Sequence, residues 1–182
     1  MNVERIRARR QKIQEEIRLK KLRERVASQL AHLDKLGQHY TVYYEFENIN
    51  WIYSNLRVRK RDGYNGIHGD FQIDVADSAA ISNLKMREED INSDKFSKQF
   101  SSLISEHNSL IVCHQGGDPE LEISTKAFLS SPIEFLSQPE TWIITTEKNW
   151  IIEYLWEQGV IRFIQLRGSI PTLIKKIIIE EG

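Results

Sequence analysis

Four residues of this 182-residue chain have side chains suited to hydrolytic or metal chemistry: His68, Asp70, His114 and Asp118, with Cys113 beside the second histidine. Imidazole and carboxylate are the ligand types of a metal-dependent hydrolase or nuclease. A thiol with an imidazole is the raw material of a nucleophile pair. The spacing does not organise them. There is no His-Glu-x-x-His helix, no Gly-x-Ser-x-Gly elbow and no Gly-x-x-x-x-Gly-Lys phosphate loop. Cys113 and His114 are consecutive in an apolar strand, so their side chains point to opposite faces. Gly116-Gly117-Asp118-Pro119 reads as a turn. Catalysis through these four residues is therefore the third reading of the chain, and no metal or cofactor is expected.

Cations make a stronger pattern. Arg5, Arg7, Arg9, Arg10 and Lys12 crowd the first turns of a helical segment, and Arg18, Lys20, Lys21, Arg23 and Arg25 follow. Such a helix can lie along phosphates, releasing a counterion for each one neutralised. It can equally be a solvated coiled-coil helix whose charges serve pairing. Its leading turns lack the Trp and Phe anchors of a helix bound to anionic lipid. Basic residues at a helix N-terminus oppose the macrodipole, so fraying is expected where no partner is present.

Two further groups have competing readings. Arg57, Arg59 and Arg61 share one face of an expected strand, with Trp51 and Tyr53 on that face and Lys60 beside them. Basic residues with aromatics can form a nucleic-acid platform; alternatively, Asp70, Gln72 and Asp74 meet the arginines across a hairpin as charge pairs. Trp150, Tyr154 and Trp156 share one face of a later strand, near Glu134, Glu140, Glu147, Glu153 and Glu157. That face is a protein-binding surface, where Trp and Tyr supply contact area, or it is the domain core.

The elements that position these groups follow from periodicity. Residues 1–36 hold no Gly or Pro and consist of strong helix formers, which predicts a basic helical arm with Gly37 as its stop. From Leu22 the apolar steps of 4, 4, 3 and 3 approach a heptad seam, so the second half of the arm is expected to pack and the first half to project into solvent. Strands are expected at 40–46, 51–59 and 71–75, together an antiparallel meander. A helix is expected at 96–107, a strand at 110–113 and a short helix at 132–136. Strands at 141–145, 149–156 and 160–166 and a final amphipathic helix at 170–178 complete the chain. The fold class is α+β: a mostly antiparallel sheet with helices on one face, preceded by a long N-terminal helix, with 38–182 as a single domain.

The totals bound the function. Residues 1–36 carry eleven Lys/Arg against five Asp/Glu, a net of +6; the rest carry fourteen against twenty-one, a net of −7. A total of −1 thus hides a basic arm on an acidic body. One cysteine permits no internal disulfide and suits a reducing compartment. No apolar run reaches the ~18–20 residues that span a bilayer, and the acidic residues among the first turns argue against a targeting peptide, so a cytoplasmic location is expected. In its small acidic body and Trp-rich hairpin the chain resembles bacterial immunity proteins that plug toxins, a likeness that no single motif carries. The leading expectation is a non-catalytic binding protein with a protein partner and a homo-oligomer formed through residues 13–36. The runner-up is a nucleic-acid-binding protein using the arm and the arginine strip.

Overall fold

The computed structural model describes residues 3–60, 71–74, 80–91, 93–104, 106–114, 116–136, 141–155 and 158–166. Val26 divides the basic segment into α1 (Val3–Arg25) and α2 (Ala27–Lys35); its φ of −105° and ψ of 14° lie off the helix. Past this break, Val26, Leu30 and Leu33 are buried in the main core. The apolar steps that suggested a heptad seam therefore pack on the sheet of the same chain. Gly37, at φ 61°, ends α2 and donates its N–H to Asp34 O, as its type predicts.

Among the described residues nine strands follow: β1 (Tyr40–Tyr43), β2 (Val58–Lys60), β3 (Phe71–Ile73), β4 (Ala80–Arg87), β5 (Ser109–His114), β6 (Glu120–Ser124), β7 (Thr141–Thr145), β8 (Trp150–Leu155) and β9 (Val160–Leu166). Seven form one antiparallel sheet in the order β1-β6-β5-β7-β8-β9-β4, and β2 and β3 form a separate hairpin pair. The other α-helices among the described residues are α3 (Glu47–Asn55), α4 (Asp94–Ile104), α5 (Thr125–Ser130) and α6 (Pro132–Leu136).

Both faces of the sheet are covered. On one, α2, α4, α5 and α6 pack on Leu110, Val112, Ile152, Tyr154, Ile161 and Phe163. Phe96, Phe100, Phe128, Phe135 and Phe163 form a chain of ring contacts there, with the Phe100 and Phe128 centroids 5.0 Å apart. Each such side chain contributes about 1.5–3 kcal/mol on burial. On the other face, α3 and the β2–β3 pair cover Ile111, Cys113, Trp142, Ile144, Ile151 and Ile164. Double coverage explains why β7 and β8 read as continuous apolar runs instead of alternating ones.

Three expectations need correction. The stretch read as a strand at 51–59 is mostly α3, followed by the three-residue β2. Trp51 and Tyr53 therefore never share a strand face with the arginines. Phe46 turns the chain at φ 55°, ending β1 before the predicted 46. The buried carboxylate of Glu120 on β6 then accepts hydrogen bonds from the backbone N–H of Asn48 (3.2 Å) and Ile49 (2.7 Å), so the first turn of α3 is capped from a distant strand. The meander also dissolves, because β1 pairs with β6 and not with β2. The middle of the chain contains β4 and β6, which the sequence reading missed. The final helix expected at 170–178 lies outside the described residues.

Candidate partner-binding surface

α1 is 23 residues of Arg, Lys, Glu, Gln, Ile, Leu, Val and Ala with no aromatic residue. A helix of that length is about 34 Å long. Its base is fixed to the body. Leu19 and Leu22 are half-buried, Arg23 reaches the Tyr44 hydroxyl, and Arg25 Nη1 lies 3.3 Å from Asp118 Oδ1 and 3.5 Å from Gly117 O. The Gly116–Pro119 turn thus holds the end of α1.

Above that base the helix stands in solvent. Arg5, Arg7, Arg9, Arg10, Lys12, Arg18, Lys20 and Lys21 are all exposed. Two of them pair within the helix: Lys12 with Glu16 at 4.0 Å and Arg18 with Glu15 at 2.6 Å. The Arg18 guanidinium holds the Glu15 carboxyl below its usual range. Arg5, Arg7, Arg9, Arg10, Lys20 and Lys21 make no ion pair among the described residues.

Their placement around the helix is ordered. At 3.6 residues per turn, Ile6, Ile13 and Ile17 fall within about 40° of one another, and about 170° from the side where Leu19 and Leu22 meet the body. Ile13 and Ile17 are 47% and 50% exposed and Ile6 is half-buried, so the described residues leave most of this apolar ridge open. Arg5, Arg9 and Lys20 lie on one flank of the ridge and Arg7, Arg10 and Lys21 on the other, about 40–100° from it. Near the base, a groove of about 450 Å³ between α1 and the open edge of β1 is lined by Arg18, Leu19, Val42, Tyr43, Glu45 and Glu47. Glu45 and Glu47 are exposed and give the base of α1 an acidic surround.

The other candidates are placed differently. His114 is 2% exposed, on the helix-covered face. Its Nε2 lies 3.2 Å from Gln29 Nε2 and its Nδ1 3.0 Å from Thr141 Oγ1. Since Gln29 Nε2 also donates to Glu134 O, the imidazole is a neutral ring accepting at Nε2 and donating at Nδ1. Burial lowers its pKa to about 4. Cys113 points to the opposite face, where burial pushes its thiol well up. Asp118 is engaged with Arg25. Among the described residues the free cysteine, Cys113, is buried, and no group of three or more His, Cys, Asp and Glu could hold a metal. His68 and Asp70 lie outside them.

In the arginine strip, Arg59 Nε meets Asp74 Oδ2 at 2.5 Å, so this arginine takes the cross-strand pairing. Arg57 O accepts from the Asp74 N–H, and the Arg57 side chain also has an interaction. Arg61 lies outside the described residues, as does Trp156. Trp150 and Tyr154 are 8% and 2% exposed and belong to the core, leaving no aromatic face on β8.

Glu153, expected at the surface, is fully buried and bound to Arg162 on β9. Arg162 Nε donates to Glu153 Oε2 at 2.6 Å, while Ile73 N–H and Trp142 Nε1 donate to Oε1 at 2.7 and 3.1 Å. Arg162 Nη2 donates to Ile73 O at 2.7 Å. The pair thereby replaces a strand partner for β3 and ties the small hairpin to the sheet. Burial raises the Glu153 pKa and the Arg162 charge opposes that rise. Leaving one partner of a buried pair alone typically costs about 3–5 kcal/mol. The signal was present: one Glu in an apolar run and one Arg in the next, which the β8–β9 register sets opposite each other.

None of the described helices is long and apolar enough to cross a membrane. Compared with known proteins, the chain matches no family model, no curated sequence and no solved structure.

Proposed function

We propose that the protein is a non-catalytic binding protein that holds a polyanionic partner, nucleic acid, along α1. One observation carries the reading: six exposed cations of α1 make no ion pair among the described residues, which hold the helix at its base. Among the described residues no carboxylate of the acidic body pairs with those cations, which supports solvent ions or a partner as their counter-charge. Replacing condensed counterions on a nucleic acid is the exchange that such a row drives.

The competing reading is self-association through α1, favoured by the exposed Ile13 and Ile17. Three isoleucines fall well short of the ~1,200–2,000 Å² that a stable interface buries. Two copies would also bring rows of like charge together. Recognition of a protein through Trp150 and Tyr154 has no surface to work with, since both rings are core.

The test is binding of labelled duplex and single-stranded nucleic acid across about 50–200 mM salt. Six phosphate contacts give a log–log slope near −5. Replacing Arg5, Arg7, Arg9 and Arg10 by Ala removes roughly 3–4 of that slope and leaves thermal unfolding unchanged. Absence of binding at low salt, or a slope indifferent to the four substitutions, refutes the reading.

A further inference from the structure

We infer that α1 is a groove helix: it enters the major groove of duplex DNA with its isoleucine ridge on the groove floor and one row of cations toward each strand. The inference rests on the nucleic-acid reading above and narrows it to one class of ligand. Three properties of α1 make the choice. First, its free cations form two rows flanking Ile6, Ile13 and Ile17, where one continuous band would suffice for a single strand of phosphates. A helix about 10–12 Å across fills a groove about 12 Å wide, and phosphates then lie on both flanks.

Second, α1 has no aromatic residue. Single-stranded nucleic acid is held by stacking bases on aromatic rings, and an interfacial membrane helix uses Trp, Phe or Leu anchors on its apolar face. Neither is available on the free side of α1. Third, the ridge is apolar. The floor of the B-form major groove displays the thymine methyl group, which takes apolar contacts, whereas the A-form RNA major groove is too deep and narrow for side chains to read. The acidic surround at Glu45 and Glu47 repels a polyanion at the base of α1, which favours approach from the end that carries Arg5, Arg7, Arg9 and Arg10.

The experiment compares the full-length protein on five probes: an A·T-rich DNA duplex of about two helical turns, the same duplex with deoxyuridine for thymidine, its single strand, an RNA duplex of the same sequence, and phosphatidylserine vesicles. DNA duplex binding is expected to exceed single-strand and RNA-duplex binding at least about tenfold, and loss of the thymine methyls to weaken it a few-fold. In an Ile13→Ser, Ile17→Ser variant that deoxyuridine effect disappears while the salt slope stays. Equal affinity for single strand and duplex, preference for the vesicles, or a deoxyuridine effect that survives the double substitution overturns groove entry. The first of these leaves the nucleic-acid reading standing. Failure to bind any nucleic acid removes both.

Discussion

At His114 the protonated ring has no place to go. Nε2 faces an amide nitrogen that already donates to it, so a proton there sets two donors against each other. Turning the Gln29 amide over would offer an oxygen to the ring but would set that oxygen against Glu134 O, which the amide nitrogen now serves at 3.3 Å. The folded pKa of about 4 lies below the unfolded value of 6.5. Between those limits the unfolded chain binds the extra proton, so stability falls as pH drops through 6.5 and levels off below 4. The expected loss is about 2 kcal/mol between about pH 7 and pH 5. Chemical denaturation at the two pH values measures it, and a His114→Gln variant should be less stable overall but lose most of that pH dependence. A wild-type curve that is flat over this interval would show that the ring finds a charged-state partner. This histidine therefore holds α2 to the sheet, and its titration bears on stability.

At the scale of elements, α1 and α2 differ in what they do for the fold. α2 carries Leu30 and Leu33 into the core, whereas the turns of α1 before Leu19 touch little beyond themselves. Removing residues 1–14 is expected to change stability by no more than about 0.5 kcal/mol, as for other exposed positions, while Leu33→Ala costs about 2–5 kcal/mol. Thermal unfolding of the two variants decides this; a large shift for the truncation would mean that the first turns pack on the body. This division was legible in the sequence, because charge crowds every side of the first turns and the apolar steps begin only at Leu22. So were α4, α6 and β7 to β9, each marked by clear periodicity or by Pro and Gly at its ends. α3 was not, because the aromatic and β-branched run Trp51-Ile52-Tyr53 has the composition of a strand, and the cap that starts the helix is Glu120, distant in sequence. Glu153 and Arg162 were not read as a pair for the same reason: a buried charge is legible only once its partner is placed. On α1 the cations themselves were evident, but their sorting into two rows around an uncovered ridge needed to know which side meets the body.

At the scale of the whole molecule, the charge separation makes a prediction about orientation. A polyanion near this protein meets a field that attracts at α1 and repels at the body, so the acidic surface acts as a guide as well as a solvated exterior. The carboxylates best placed to oppose binding are Glu45 and Glu47, exposed at the groove beside α1; Glu45 already acts electrostatically on Arg18. Neither carboxylate is part of the core, so Glu45→Gln with Glu47→Gln should leave unfolding unchanged. Affinity for duplex DNA should rise roughly two- to five-fold at low salt, chiefly through faster association. The gain should shrink as salt shortens the screening length, which is about 10 Å at 0.1 M. Association rates measured across salt separate this from a local contact, whose effect would persist at high ionic strength. If the double substitution lowers affinity instead, the partner touches Glu45 and Glu47 directly and carries positive charge there, and the acidic body, not α1, is the surface that selects it.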